Sequence, residues 1–370
     1  QVIHAEHQRQ AAGQVTVGNI ITTMRLLSTL DWQEFFEKVS LIDPLLGQDP
    51  AGAYSQMEFA SRDRYRHVVE RISKRTRSSE IEIAKAALEL AAKASVEPQT
   101  HVGYYLVDDG LPKLESIFGY EPNSVEGLRR FFLRNATASY LGTLLLLTAL
   151  VLTLVAIIMS RYTRDLWLLA LTSLLALIPA TEIALTVLNW DVTHFFPPRL
   201  LPRMNTADGI PGNARTFVVV PTILSSESQV KHLIERLEVH FLANRDSQIY
   251  FALLSDFPDA DAEETQNDSA LLSTAQSGIE DLNRRHEGNR FHLFHRRRMW
   301  NDGEGKWMGW ERKRGKLEEF NQLLRGVHDT TCIVRTGDDE VLKAFRFVIT
   351  LDSDTQLPRD SARKLVGAAI

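Results

Sequence analysis

The sequence predicts an integral membrane protein of the α/β class. A helical soluble head and a hairpin of two transmembrane helices precede a mostly parallel sheet. Three observations carry that reading. Residues 141–159 hold no charge, and at ~1.5 Å per residue they reach ~28 Å, close to the hydrocarbon thickness of a bilayer. A second apolar stretch, 166–190, follows after a six-residue link and carries a single acid, Glu182. Beyond Gly212, apolar β-branched runs alternate with helical periodicity, as they do where crossover helices join parallel strands.

A chain of 370 residues has room for two or three units. Its mild formal charge of −5 argues neither for nucleic acid nor for an acidic-tail protein. The single cysteine, Cys332, excludes an internal disulfide framework and any multi-cysteine metal site. The chain opens on Gln1-Val-Ile-His4 and stops in the helical run Leu365–Ile370, so a piece of something longer is expected.

Residues 1–134 read as a mostly helical, cytoplasmic domain. Asp31 is placed to cap a helix carrying Phe35, Phe36 and Val39, and Ser79-Glu-Ile-Glu82 has the form of a capping box. The run from Ser61 to His67, rich in Arg and Asp, is expected to be a solvated helix face. His101–Gly110 breaks the helical pattern and suggests a short strand, with Asp108 and Asp109 in a turn.

The transmembrane region covers residues 140–192, with spans at about 141–159 and 166–190. A hairpin returns the chain to its starting side. Arg129, Arg130, Arg134, Arg199 and Arg203 flank the outer ends, against Arg161 and Arg164 at the tip. The excess of arginine places both soluble parts in the cytoplasm. Glu182 either marks a polar path between helices or pairs within a larger bundle. Residues 193–212, rich in Pro and Arg, suit an interfacial linker anchored by Trp190, Phe195 and Phe196.

In residues 213–370, strands are expected at 216–220, 249–254, 291–294 and 345–351. Helices are expected at 230–241, 271–285 and 316–327. Ligands of such sheets bind beyond the carboxyl ends of the strands. Thr222, Asp256 and the pair Asp352 and Asp354 fall at such ends. At i and i+2 on a strand, Asp352 and Asp354 share a face. A hard divalent cation, Mg²⁺ or Mn²⁺, completed by substrate phosphates, would relieve their repulsion; an ordinary turn is the other use of that tripeptide. Lys316, read as opening a helix, suits a phosphate because free amides and the helix dipole point the same way. Asp302-Gly-Glu-Gly305 reads as a hairpin turn with aromatic arms. Trp300, Trp307 and Trp310 there either stack on sugar rings or pack against the sheet or membrane. His295–Arg298 is expected to be a solvated face, the alternative being a source of positive potential near a bound phosphate group.

The order of these groups resembles the GT-A glycosyltransferases, with their Rossmann-type sheet, and in particular processive membrane synthases of the cellulose and hyaluronan type. By that resemblance Asp256 recognises the uracil end of a nucleotide sugar, Asp352 and Asp354 hold the metal on the diphosphate, and Lys313–Asn321 occupies the Lys-Ala-Gly-x-x-Asn segment. Pro221-Thr-Ile-Leu224 departs from the usual Pro-x-Tyr-Asn-Glu. Gly103–Val107, Phe196–Pro202, Gly305–Lys316 and Val348–Pro358 resemble cyclic β-1,2-glucan synthases. These are large enzymes of the bacterial inner membrane that make osmoregulated periplasmic glucans. The resemblance implies UDP-glucose as donor, a growing β-1,2-glucan as product, and further domains of a full-length synthase as partners. Residues 213–370 would be the truncated, nucleotide-sugar-binding part of the catalytic domain. No residue here stands out as the base of an inverting transfer, and the resemblance places the base and Gln-x-x-Arg-Trp beyond residue 370. The alternatives are a processive synthase of another sugar or linkage, and a catalytically silent nucleotide-sugar scaffold.

Overall fold

The structure, a computed structural model, describes residues 2–370 except Pro197, Arg199 and residues 337–341, with side chains from residue 13 on. Gln1, the flanking Arg199 and Pro197 of the expected interfacial segment lie outside the described residues. The chain forms two compact units, one of residues 1–66 with 202–370, the other of residues 67–201. The head expected over 1–134 is thus shared between them.

The head is helical: α1 (Val2–Thr29), α2 (Trp32–Val39), α3 (Asp43–Leu46), α4 (Phe59–Ser73), α5 (Glu80–Ala92), α6 (Val102–Val107), α7 (Leu111–Ile117) and α8 (Ser124–Arg134). Asp31 caps α2 by accepting from the amides of Gln33 and Glu34, and Ser79 and Glu82 form the reciprocal capping box of α5. Two expectations fail. The strand suggested at 101–110 is helix α6, because the buried Val102, Tyr105 and Leu106 fall at i, i+3 and i+4, one face of a helix rather than of a strand. The arginines of 61–67 are not a solvated face. Arg66 and Arg62 close on Asp43 at 2.6 and 3.2 Å, and the Tyr54 hydroxyl donates to the same carboxylate at 2.8 Å. A part-buried carboxylate is stable only with such partners.

Helices α9 (Ala136–Ser160) and α10 (Leu166–Phe195) are long and apolar enough to cross a membrane. The Tyr140 hydroxyl donates to Asn189 Oδ1 at 3.0 Å, joining the start of α9 to the end of α10 as an antiparallel hairpin requires. Pro179 sits inside α10 without ending it, and α10 continues through Phe195 into the segment expected as linker. Leucines such as Leu145, Leu146, Leu174 and Leu175 are exposed along both helices, which fits a membrane protein.

The sheet has the order β6-β3-β2-β1-β7, where β1 is Thr216–Ile223, β2 Ile249–Asp256, β3 Phe291–Arg296, β6 Cys332–Arg335 and β7 Phe347–Thr350. All pairs are parallel except β3 with the edge strand β6. A hairpin of β4 (Met299–Asn301) and β5 (Lys306–Met308) stands beside it. Helices α11 (Glu227–Ala243), α12 (Asp268–Arg285) and α13 (Arg312–Leu324) connect the strands, and α14 (Ser361–Ala369) ends the chain. Strand β1 alternates between two cores, as a strand covered on both faces must. Val218 and Val220 pack with Leu233 and Leu237 of α11 and Ala275 and Ile279 of α12. Phe217 and Val219 pack with Phe320 and Leu323 of α13. The Phe217 ring stacks on Phe345 with centroids 3.8 Å apart. This is a partial Rossmann-like fold. Asp360, just before the last helix, takes a left-handed backbone, φ 58°, and among the described residues its side chain makes no cap bond.

Candidate functional site

Strand order reverses between β1 and β7, so the crevice at their carboxyl ends is the natural ligand position of the sheet. Past its last pair with β7, Val219 with Thr350, β1 runs on to Ile223. The Leu351 amide still donates to the Val219 carbonyl at 2.9 Å, and the chain then turns, with the Thr355 amide on the Asp352 carbonyl at 2.9 Å. Asp352 and Asp354 therefore sit on a turn rather than on a strand face, and the i, i+2 argument does not apply to them. The turn carries both, and both are exposed. Lys313, in the first turn of α13, forms an ion pair with Asp352.

Deeper lies a network of four buried charges. Arg296 grips Asp256 with two bonds, Nε to Oδ1 at 2.8 Å and Nη2 to Oδ2 at 2.9 Å. Its Nη1 donates to Glu319 at 3.0 Å, and Nη2 also reaches the carbonyls of Trp310 and Arg312, each at 3.1 Å. Lys316 Nζ lies 3.1 Å from Asp256 Oδ2 and donates to the Thr222 carbonyl at 2.5 Å. Glu319 accepts the amide and hydroxyl of Thr331 at 2.8 and 2.9 Å. Two acids and two bases balance, and the paired, bidentate geometry is what makes their burial tolerable. Two glycines make room for it. A Cβ on Gly309 would stand 2.4 Å from Asp256 Oδ2, and one on Gly315 would stand 2.0 Å from the Trp310 carbonyl.

Several expected site residues thus have other surroundings. Lys316 does not open its helix: α13 begins at Arg312, and Lys316 is one turn in, buried, its pKa lowered by desolvation against the opposing pull of Asp256. The exposed ammonium in the first turn is Lys313. Both oxygens of Asp256 are engaged within the protein. The run His295–Arg298 is not solvated: His295, Arg296 and Arg298 are buried, Arg298 holding Asp268 and the Pro258 and Glu263 carbonyls. Thr222 is buried and presents its carbonyl to Lys316. Trp300 and Trp307 face each other across the hairpin with centroids 6.0 Å apart, and Trp310 follows it. Sequence reasoning missed Arg296 and Glu319. The only signal for Arg296 was that its run directly continues the buried strand Phe291–Phe294.

His295 Nδ1 meets Ser255 Oγ at 2.8 Å, while its buried Nε2 has no hydrogen-bond partner among the described residues. Desolvation pushes its pKa down to about 4 from the ordinary 6.5, and lowers those of His240 and His292. Between those pH values the unfolded chain binds protons that the folded chain refuses, so stability is full above 6.5 and falls on acidification toward 4. His295→Asn is expected to flatten that slope in thermal unfolding across this range. An unchanged slope would show that the ring is not the titrating group.

The Asp352–Asp354 turn suits a hard divalent cation: two exposed carboxylates are the usual protein share of a Mg²⁺ shell completed by phosphates. Asp352 already pairs with one cation there, the Lys313 ammonium. Among the described residues no group of three His, Cys, Asp or Glu gathers for an ion, so the phosphates would have to supply the remaining ligands. Over 99% of its length the chain is 39% identical to the cyclic beta-(1,2)-glucan synthase NdvB of Rhizobium meliloti. The chain is similar to one part of a cyclic β-1,2-glucan synthase. It spans 13% of that glucan synthase. No family model matches.

Proposed function

We propose that residues 213–370 are the donor-binding part of a GT-A-type membrane glucosyltransferase that adds glucose from UDP-glucose to a β-1,2-glucan. The observation that carries this is the Asp352–Asp354 turn at the strand-order reversal, lying within the length similar to the glucan synthase. When bound there, Mg²⁺ or Mn²⁺ would neutralise the departing diphosphate. Asp352 and Asp354 would hold that cation. Lys313 leaves Asp352 for the phosphates, at a helix N-terminus whose amides and dipole favour an anion. Lys316 and Asp256 fix the end of β1 and the second turn of α13, and so set the floor of the crevice.

Helices α9 and α10 span the bacterial inner membrane as part of a multi-pass protein, with both soluble parts cytoplasmic. The remaining domains of a full-length synthase and the lipid bilayer are its partners. One experiment tests donor and orientation together, because UDP-glucose does not cross a bilayer. Inverted membrane vesicles carrying the full-length protein should incorporate labelled glucose into 1,2-linked glucan, and sealed right-side-out vesicles should not. Incorporation by neither refutes the enzyme, another linkage refutes the product, and activity only in right-side-out vesicles reverses the orientation.

A further inference from the structure

Trp300 and Trp310 are each 50% exposed, although an indole is among the most rewarding side chains to bury. They border a depression of about 620 Å³ on the β4–β5 hairpin, with Asp302, Glu304, Glu311 and Arg312 around it. The aromatic surfaces are held rigid. The Trp300 indole N–H donates to Asp302 Oδ1 at 2.7 Å, and Trp307 stands edge-on to Trp300. Trp307 and Ala260 exchange both backbone bonds at 2.9 Å, which ties the hairpin to the loop after β2. Arg312 clamps the turn from the other side, donating to Glu304 at 2.8 Å and Asp259 at 3.0 Å. The Trp310 carbonyl is fixed by buried Arg296.

We propose that this hairpin is a binding platform for the pyranose rings of a glucan chain, an inference that rests on the glucan-synthase reading above. A pyranose has an apolar C–H face and a rim of hydroxyls. Exposed indoles suit the first, and carboxylates and a guanidinium suit the second. Three carboxylates around the depression disfavour the two other occupants that use tryptophan. They repel the phosphates of a nucleotide and the anionic headgroups of a lipid surface, but not a neutral polyol. Fixing the indoles in advance removes the ordering cost that a mobile aromatic would carry.

The test uses the full-length protein in detergent and a linear β-1,2-gluco-oligosaccharide as probe, with affinity read by calorimetry. Trp300→Ala and Trp310→Ala should each weaken oligosaccharide binding on the order of tenfold. Phe at either position should restore most of it, and UDP affinity should stay unchanged. Oligosaccharide affinity equal to wild type in the double alanine variant overturns the platform, as does a wild-type protein that does not bind the probe. A parallel loss of UDP affinity assigns the tryptophans to the donor instead. The enzyme reading fails separately, by absence of glucose incorporation in wild-type vesicles.

Discussion

Asp352→Asn and Asp354→Asn are each expected to lower glucose incorporation from UDP-glucose by about three orders of magnitude or more. A metal-supported leaving group is worth several kcal/mol in the transition state, and each ~1.4 kcal/mol is a factor of ten. Asparagine keeps the shape of the side chain and removes its charge. The fold should not suffer, because both carboxylates are exposed and the ion pair with Lys313 is a surface pair of small net worth. The full-length variants should reach the membrane at wild-type levels. Chelation should reproduce their defect in the wild type, and added Mg²⁺ or Mn²⁺ should repair the chelated wild type but neither variant. Near-normal glucan synthesis by either variant would make the tripeptide an ordinary turn.

Asp256→Ala acts on a different quantity. It leaves Arg296 and Lys316 buried with only Glu319 to balance them, and an uncompensated buried charge costs about 3–5 kcal/mol. The full-length protein should unfold at a clearly lower temperature, and Arg296→Met should do the same, because Asp256 keeps Lys316 but buried Glu319 loses its cation. Combining Asp256→Leu with Arg296→Met removes both charges of the bidentate pair and should recover much of the loss, a non-additivity that marks direct coupling. The competing role, a hydrogen bond to the base of UDP, makes the opposite forecast. Stability would hold while UDP affinity dropped by roughly 1–3 kcal/mol. Thermal unfolding and UDP calorimetry on the same variants decide between them.

The contrast between Asp256 and the Asp352–Asp354 pair shows what could be read in the sequence. Strands β1 and β2 announce themselves because a strand buried on both faces is apolar nearly throughout, as Phe217–Val220 and Phe251–Leu254 are. The capping residues Asp31 and Ser79 are equally legible, since they act on amides two or three positions away. Edge strand β6 was missed: Cys332–Arg335 is short and half exposed. Charged residues were misread where their partners are remote. Nothing near Arg296 reveals that Asp256, 40 positions back, and Glu319, 23 positions on, will enclose it. The same holds for Lys316, whose burial depends on Thr222, 94 positions away. Position along α13 mattered too. The tight entry at Glu311 and Arg312, with φ of 49° and 46°, starts the helix a turn earlier than the Gly-Lys pair suggests.

Helix α13 carries Lys313 in solvent and Lys316 and Glu319 in the protein interior, spaced by three residues. Any sliding or rolling of this helix would drag two members of the buried charge network away from Asp256, Arg296 and Thr331. Backbone motion here is therefore slow and rare, tied to sub-global opening. Lys313 is under no such restraint, and exposed side chains change rotamer within nanoseconds. If the crevice takes a diphosphate as proposed, adjustment to it would fall to that one side chain, on a scaffold already in place.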